Sequence, residues 1–94
     1  MVTLRIQHPI QSFEAWKRAF DADPVGRKAS GVRRYRIWRP VADPHFVLID
    51  LELETVAEAE GLLQKLRAIW NGPAQAVMSQ PEARIVETIA AAEL

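Results

Sequence analysis

Ninety-four residues with twelve basic and twelve acidic side chains make one domain of zero formal net charge. That balance excludes the global positive field that gathers nucleic acid or an anionic membrane surface, and no apolar run is long enough to span a bilayer. The absence of cysteine excludes disulfides, thiolate catalysis and cysteine metal sites, and with two histidines no multi-histidine metal centre is expected within one chain.

Residues 2–8 alternate and predict a first strand, with Val2, Leu4, Ile6 and His8 on one face and Thr3, Arg5 and Gln7 on the other. A chain that opens on a strand and not on an apolar leader is expected in the cytoplasm. Pro9 ends the strand. Ser12 is a plausible N-cap for a helix over 13–22, whose Phe13, Trp16 and Phe20 fall on one stripe at i, i+3 and i+7. Asp23 before Pro24 is pushed out of the helical region and stops it. Residues 24–31 form a loop with two glycines and two basic residues, and a second strand follows over 32–39. Pro40 and Asp43-Pro44 mark a hairpin connection. In the third strand, 46–54, Val47, Ile49, Leu51 and Leu53 should face the helices, and Phe46, Leu48, Asp50, Glu52 and Glu54 the other way. Thr55 and Glu58 form a capping box. The second helix then carries Ala59, Leu62, Leu63, Leu66, Ile69 and Trp70 at spacings of three and four, with Gly61 off the stripe. Asn71-Gly72-Pro73 stops it. Residues 73–79 have room for one helical turn, and 83–89 predict a fourth strand.

The order strand, helix, strand, strand, helix, strand predicts an α+β fold, a ferredoxin-like sandwich with a four-stranded antiparallel sheet and both helices on one face. The other sheet face must then meet water, a ligand or another subunit. On the third strand it carries Phe46, Leu48, Asp50 and Glu52, and on the second Arg34, Arg36 and Trp38. Arg36 is expected opposite Asp50, and Arg34 opposite Glu52. A face half apolar and half self-neutralising suits a homodimer in which two sheets pack together, and it would extend the modest core of so short a chain.

The strands 2–8 and 46–54, with the helix ending Leu66-Arg67-Ala68-Ile69-Trp70-Asn71, resemble the dimeric α+β barrel superfamily, and within it the small antibiotic-biosynthesis-monooxygenase-like proteins. The likeness covers the whole chain in element order and length. Asp23-Pro24-Val25-Gly26-Arg27, with Gly31-Val32-Arg33-Arg34-Tyr35-Arg36, also resembles uncharacterised stand-alone members. The resemblance implies a pocket in each subunit between sheet and helices. Characterised relatives oxidise polycyclic phenols without metal or flavin, degrade haem, or catalyse cyclisation. The haem-degrading branch uses a histidine shortly after the tryptophan-bearing helix, and residues 71–81 contain none.

For that pocket the sequence offers His8 as a general base, since its ordinary pKa lies near neutrality, against a histidine merely hydrogen-bonded at a strand end. Asn71 is an oxygenase polar group by resemblance and a helix C-cap by position. Trp16, Trp70 and Tyr35 could bind an aromatic ligand, or belong to the core and an edge strand. His45 reads as a solvated loop residue. The basic set Arg27, Lys28, Arg33, Arg34, Arg36 and Arg39 invites an RNA reading, but strand one carries no stacking aromatic and strand three sets Asp50, Glu52 and Glu54 beside Phe46. The loop at 24–31 could hold one anionic group of a ligand, or be a solvated basic loop. Two functions follow: a cofactor-independent monooxygenase or cyclase acting on an aromatic or polyketide-like molecule, or a non-catalytic ligand-binding or interaction domain on the same fold.

Overall fold

Two strands with strict two-residue alternation dictate the architecture. The computed structural model describes residues 1–72 and 78–94, so the turn expected over 73–79 lies largely outside the described residues. Six elements follow in the order β1 (Val2–Pro9), α1 (Phe13–Asp21), β2 (Arg34–Trp38), β3 (Phe46–Leu53), α2 (Val56–Trp70) and β4 (Glu82–Glu87). The sheet order is β2-β3-β1-β4 with every pairing antiparallel, the ferredoxin-like arrangement. The register sets Leu4 opposite Leu51 and Ile6 opposite Ile49 at its centre. These residues, with Val47, Leu53 and the α2 residues Ala59 and Leu62, form the buried core. Each large aliphatic removed from water there contributes roughly 1.5–3 kcal/mol.

The helix boundaries follow from local chemistry. Ser12 Oγ accepts the Ala15 N–H at 3.3 Å, and Thr55 Oγ1 accepts the Glu58 N–H at 3.1 Å. The Thr55–Glu58 box is one-sided, because the Glu58 carboxylate takes the Thr55 hydroxyl and not its backbone N–H. Backbone conformation explains Gly31, whose φ of +101° favours glycine, and a Cβ there would also have to displace the Glu58 carboxylate.

The second and fourth strands are shorter than their patterns suggest. At β2 the Val32 N–H turns back to the Arg27 carbonyl at 3.0 Å, which leaves Arg33, bonded to the Glu52 carbonyl at 2.8 Å, as the first contact with β3. At β4 the last pair is Glu87 with Val2, where β1 begins, so Thr88 and Ile89 have no strand to pair with. Helix α1 ends at Asp21, with Ala22 as its C-cap.

The face turned from the helices carries Arg34 opposite Glu52 and Arg36 opposite Asp50, the expected register. Arg34 and Glu52 form an ion pair, with Nη2 3.2 Å from Oε1. The Arg36–Asp50 pairing is corrected. Asp50 has a second cross-strand neighbour, Arg5 on β1, and that guanidinium takes both its oxygens, Nε to Oδ1 at 2.8 Å and Nη2 to Oδ2 at 2.9 Å. Trp38 Nε1 donates to Oδ2 at 3.3 Å. The Arg5 hydrogen bonds hold the Asp50 carboxyl below its ordinary range against the opposing effect of burial, and Arg36 adds only its field. Trp38 remains 49% exposed on this face, beside half-buried Phe46 and Leu48.

Asp50→Ala is expected to lose about 1.5–3 kcal/mol of stability, with a smaller loss for Arg5→Ala, whose side chain is half exposed. Urea unfolding at pH 7 measures both, and a loss under about 0.5 kcal/mol for Asp50→Ala contradicts the reading. A carboxyl with a depressed native pKa stabilises above its ordinary value of 3.8, and the contribution disappears as pH falls below that.

Candidate functional site

Between the helix-facing sheet surface and the helices lies a cavity of about 250 Å³. Strand β1 supplies Ile6 and His8, β3 supplies Ile49 and Leu51, and α1 supplies Trp16, Ala19 and Phe20. Helix α2 closes one side with Leu66, Ile69 and Trp70, and the loop after α1 brings Pro24, Val25 and Arg27. Among the described residues the wall is apolar except for two side chains, His8 and Arg27, and it contains no carboxylate.

His8 is the last helix-facing residue of β1, and its 2% exposure places it within the core. Its Nδ1 lies 3.0 Å from the Pro9 carbonyl. A carbonyl can only accept, so Nδ1 carries the proton and Nε2 holds the free lone pair of the neutral ring. Burial pushes the His8 pKa down and so favours that neutral form, and the Pro9 hydrogen bond, which raises the pKa, offsets part of the effect. Nε2 makes no hydrogen bond among the described residues. The ring lies 5.9 Å from Trp16, in a row of aromatics in which Trp16 stacks on Phe20 at 5.2 Å and Phe20 meets Tyr35 edge-on at 5.0 Å.

Arg27 caps this row. Its guanidinium sits 3.8 Å above the Phe20 ring and 5.2 Å from the Tyr35 ring, and Nη1 donates to the Phe20 carbonyl at 2.7 Å. The fold of the loop fixes that position. Asp23 adopts φ +54° and accepts the Arg27 backbone N–H at 2.9 Å, which turns the chain back over the end of α1.

His8, Trp16 and Trp70 are therefore gathered on one cavity. Tyr35 keeps the helix-facing side, opposite Leu51, but is 43% exposed and outside the cavity lining. It sits on edge strand β2, where α1 meets it through the Phe20 ring and leaves the rest of the side chain partly exposed. Asn71 is the C-cap of α2, its N–H bonded to the Arg67 carbonyl at 3.0 Å. It faces an open groove shared with Arg67, Trp70 and Gln80, with no place on the wall that holds His8. His45 is exposed in the hairpin, its Nδ1 3.1 Å from the Gln11 carbonyl. Arg27 stands out from the basic set, since it lines the cavity while Arg33 and Arg34 are paired with Glu54 and Glu52. The signal for it was the apolar pair Pro24-Val25 in an otherwise polar loop. Among the described residues no group of three His, Cys, Asp or Glu side chains could hold a metal ion, and no helix is long and apolar enough to cross a membrane.

No family model and no curated protein matches the chain. Solved structures do. An alanine-for-asparagine mutant of SnoaB, a cofactor-independent oxygenase from Streptomyces nogalater, superposes with a TM-score of 0.75 at 12% identity, over 96% of this chain and 94% of that one. A Nitrosomonas europaea protein named an antibiotic biosynthesis monooxygenase gives 0.72 at 16% identity, over 96% and 100%. A dimeric ferredoxin-like protein from an uncultured marine organism gives 0.71 at 8% identity, over 99% and 91%. Across nearly its whole length this chain has the ferredoxin-like fold of the antibiotic-biosynthesis-monooxygenase-like proteins.

Proposed function

We propose that the cavity between the sheet and the helices binds a small aromatic molecule and that the protein acts on it as a cofactor-independent monooxygenase or cyclase, as a homodimer. One observation carries the reading: among the described residues, a neutral, buried histidine supplies the one nitrogen base in the wall of a mostly apolar, aromatic-lined cavity. With Nδ1–H committed to the Pro9 carbonyl, Nε2 is set to take a proton from a phenol or enol hydroxyl. The products, an imidazolium and an oxyanion, each pay for burial alone but attract each other strongly at low dielectric. The electron-rich anion is the species that dioxygen oxidises or that closes a ring. The rest of the wall positions the substrate and keeps out water.

The small number of polar groups in the cavity, with Asn71 outside it, favours a second reading, a binding module without turnover. Oxygen uptake and product analysis with a panel of one- to three-ring phenols separates the two. The enzyme reading expects turnover that falls about a hundredfold or more in His8→Ala while circular dichroism stays unchanged. Binding without turnover across the panel supports the second reading.

The homodimer reading is supported by the half-exposed Trp38 on the open sheet face beside Phe46 and Leu48, and by the dimeric ferredoxin-like protein of the same fold. Native mass spectrometry is expected to find a dimer that Leu48→Glu converts to monomer. A wild-type monomer contradicts it.

The depressed pKa of His8 has a thermodynamic consequence. Below its ordinary value of 6.5 the unfolded chain binds a proton that the folded chain resists, so the stabilisation is complete above about pH 6.5 and falls as pH drops through it. Thermal unfolding between about pH 5 and 7 should show a shallower pH dependence in His8→Gln than in wild type. Identical slopes would place the imidazole in water.

A further inference from the structure

We propose that the ligand of this cavity carries an anionic group, a carboxylate on a one- or two-ring aromatic body, and that Arg27 is the residue that holds it. The inference rests on the cavity being the ligand site and names the chemistry of what enters.

Three observations point the same way. First, Arg27 is a largely buried cation, its side chain 16% exposed, in a wall that has no carboxylate. Second, among the described residues its charge has one ion-pair partner and that contact is long. Asp23 Oδ1, which accepts the Arg27 backbone N–H at 2.9 Å, lies 3.4 Å from Nη1, beyond good hydrogen-bonding reach. Third, donors remain. A guanidinium offers five N–H groups. Among the described residues only Nη1 is used, by the Phe20 carbonyl, and no buried side-chain nitrogen is left without a partner. Nε and Nη2 therefore reach accessible space, on a residue that lines the cavity. A neutral apolar ligand would strip water from these groups and return nothing, which is unfavourable. A carboxylate would replace that water with charge-assisted hydrogen bonds, two of them if it meets the edge of the fork.

Size narrows the body of the ligand. At about 250 Å³ the cavity falls just below the usual range of about 300–1,000 Å³ for small-molecule sites. It has room for one or two fused rings stacked among Trp16, Phe20 and Trp70, and too little for a four-ring skeleton. His8 Nε2, an acceptor in the neutral ring, would meet a hydroxyl on that body. The structure thus favours a small hydroxyaryl acid over a neutral polycycle.

The test titrates benzoate, 1-naphthoate and 2-naphthoate against their primary amides, which keep the shape and remove the charge. Intrinsic fluorescence is read in a Trp38→Phe background, so that Trp16 and Trp70 report. At least one acid is expected to bind about ten- to a hundredfold tighter than its amide. Arg27→Met, which keeps a stem over Phe20 without the charge, should equalise acid and amide, and Arg27→Lys should restore part of the preference. Amides that bind as well as acids to the wild-type pair of aromatics overturn the anion anchor and leave the cavity reading standing. So does an acid preference that survives in Arg27→Met. Failure of all six probes to bind a protein with an unchanged circular dichroism spectrum overturns both. If Arg27→Met does not fold, the wild-type ratio of acid to amide decides alone.

Discussion

The parity of β1 and β3 is the constraint on which the rest of the molecule depends. These two strands pair residue for residue at the centre of the sheet, Leu4 with Leu51 and Ile6 with Ile49. A slip of one residue would turn Val47, Ile49, Leu51 and Leu53 to the other face and bring Phe46, Leu48 and Asp50 under the helices. The fixed register separates two surfaces with different tasks. One is apolar and closed by α1 and α2. The other has no helix layer and carries Arg5, Asp50 and Trp38 in one hydrogen-bonded group. Arg5 and Asp50 meet only because the register that aligns the apolar pairs aligns them too.

The cavity is a consequence of the same geometry. His8 belongs to the apolar face by parity, yet it is the last such residue before Pro9, so its ring reaches the end of the core where packing loosens. A buried imidazole costs least when neutral and hydrogen-bonded, and the Pro9 carbonyl supplies that bond without using the second nitrogen. Arg27 reaches the same space by another route, through a loop folded by the left-handed Asp23. The two polar side chains that the described residues bring to the cavity thus come from a strand end and a loop, where regular packing cannot fill the volume.

What was legible in the sequence was what periodicity encodes. The element order, the helix-facing sets of β1 and β3, the caps at Ser12 and Thr55, and the cross-strand register of Arg34 and Arg36 all depend on local spacing, and each appears in the structure. Trp16 and Trp70 were legible as stripe residues, and their meeting with His8 follows from the fold. The partner of Asp50 was not legible. Two arginines flank it across two strands, and only side-chain geometry chooses Arg5. Tyr35 was legible as to face and not as to coverage, because no periodicity tells how far the helices extend over an edge strand. Arg27 was the hardest to place, since a loop conformation has no repeat and a basic residue next to glycine looks solvated until the turn at Asp23 is known.

The central claim is that the space beside His8 is a ligand site and not a packing defect. The three tryptophans permit a direct measurement, because Trp16 and Trp70 border the cavity while Trp38 lies on the opposite face of the sheet. Uniformly ¹⁵N-labelled protein titrated with 1-naphthol, observed through the three indole N–H resonances, reads all three positions at once. The account predicts that the Trp16 and Trp70 resonances move together and saturate while that of Trp38 stays in place. Movement of the Trp38 resonance alone, or of none at millimolar probe, would contradict it.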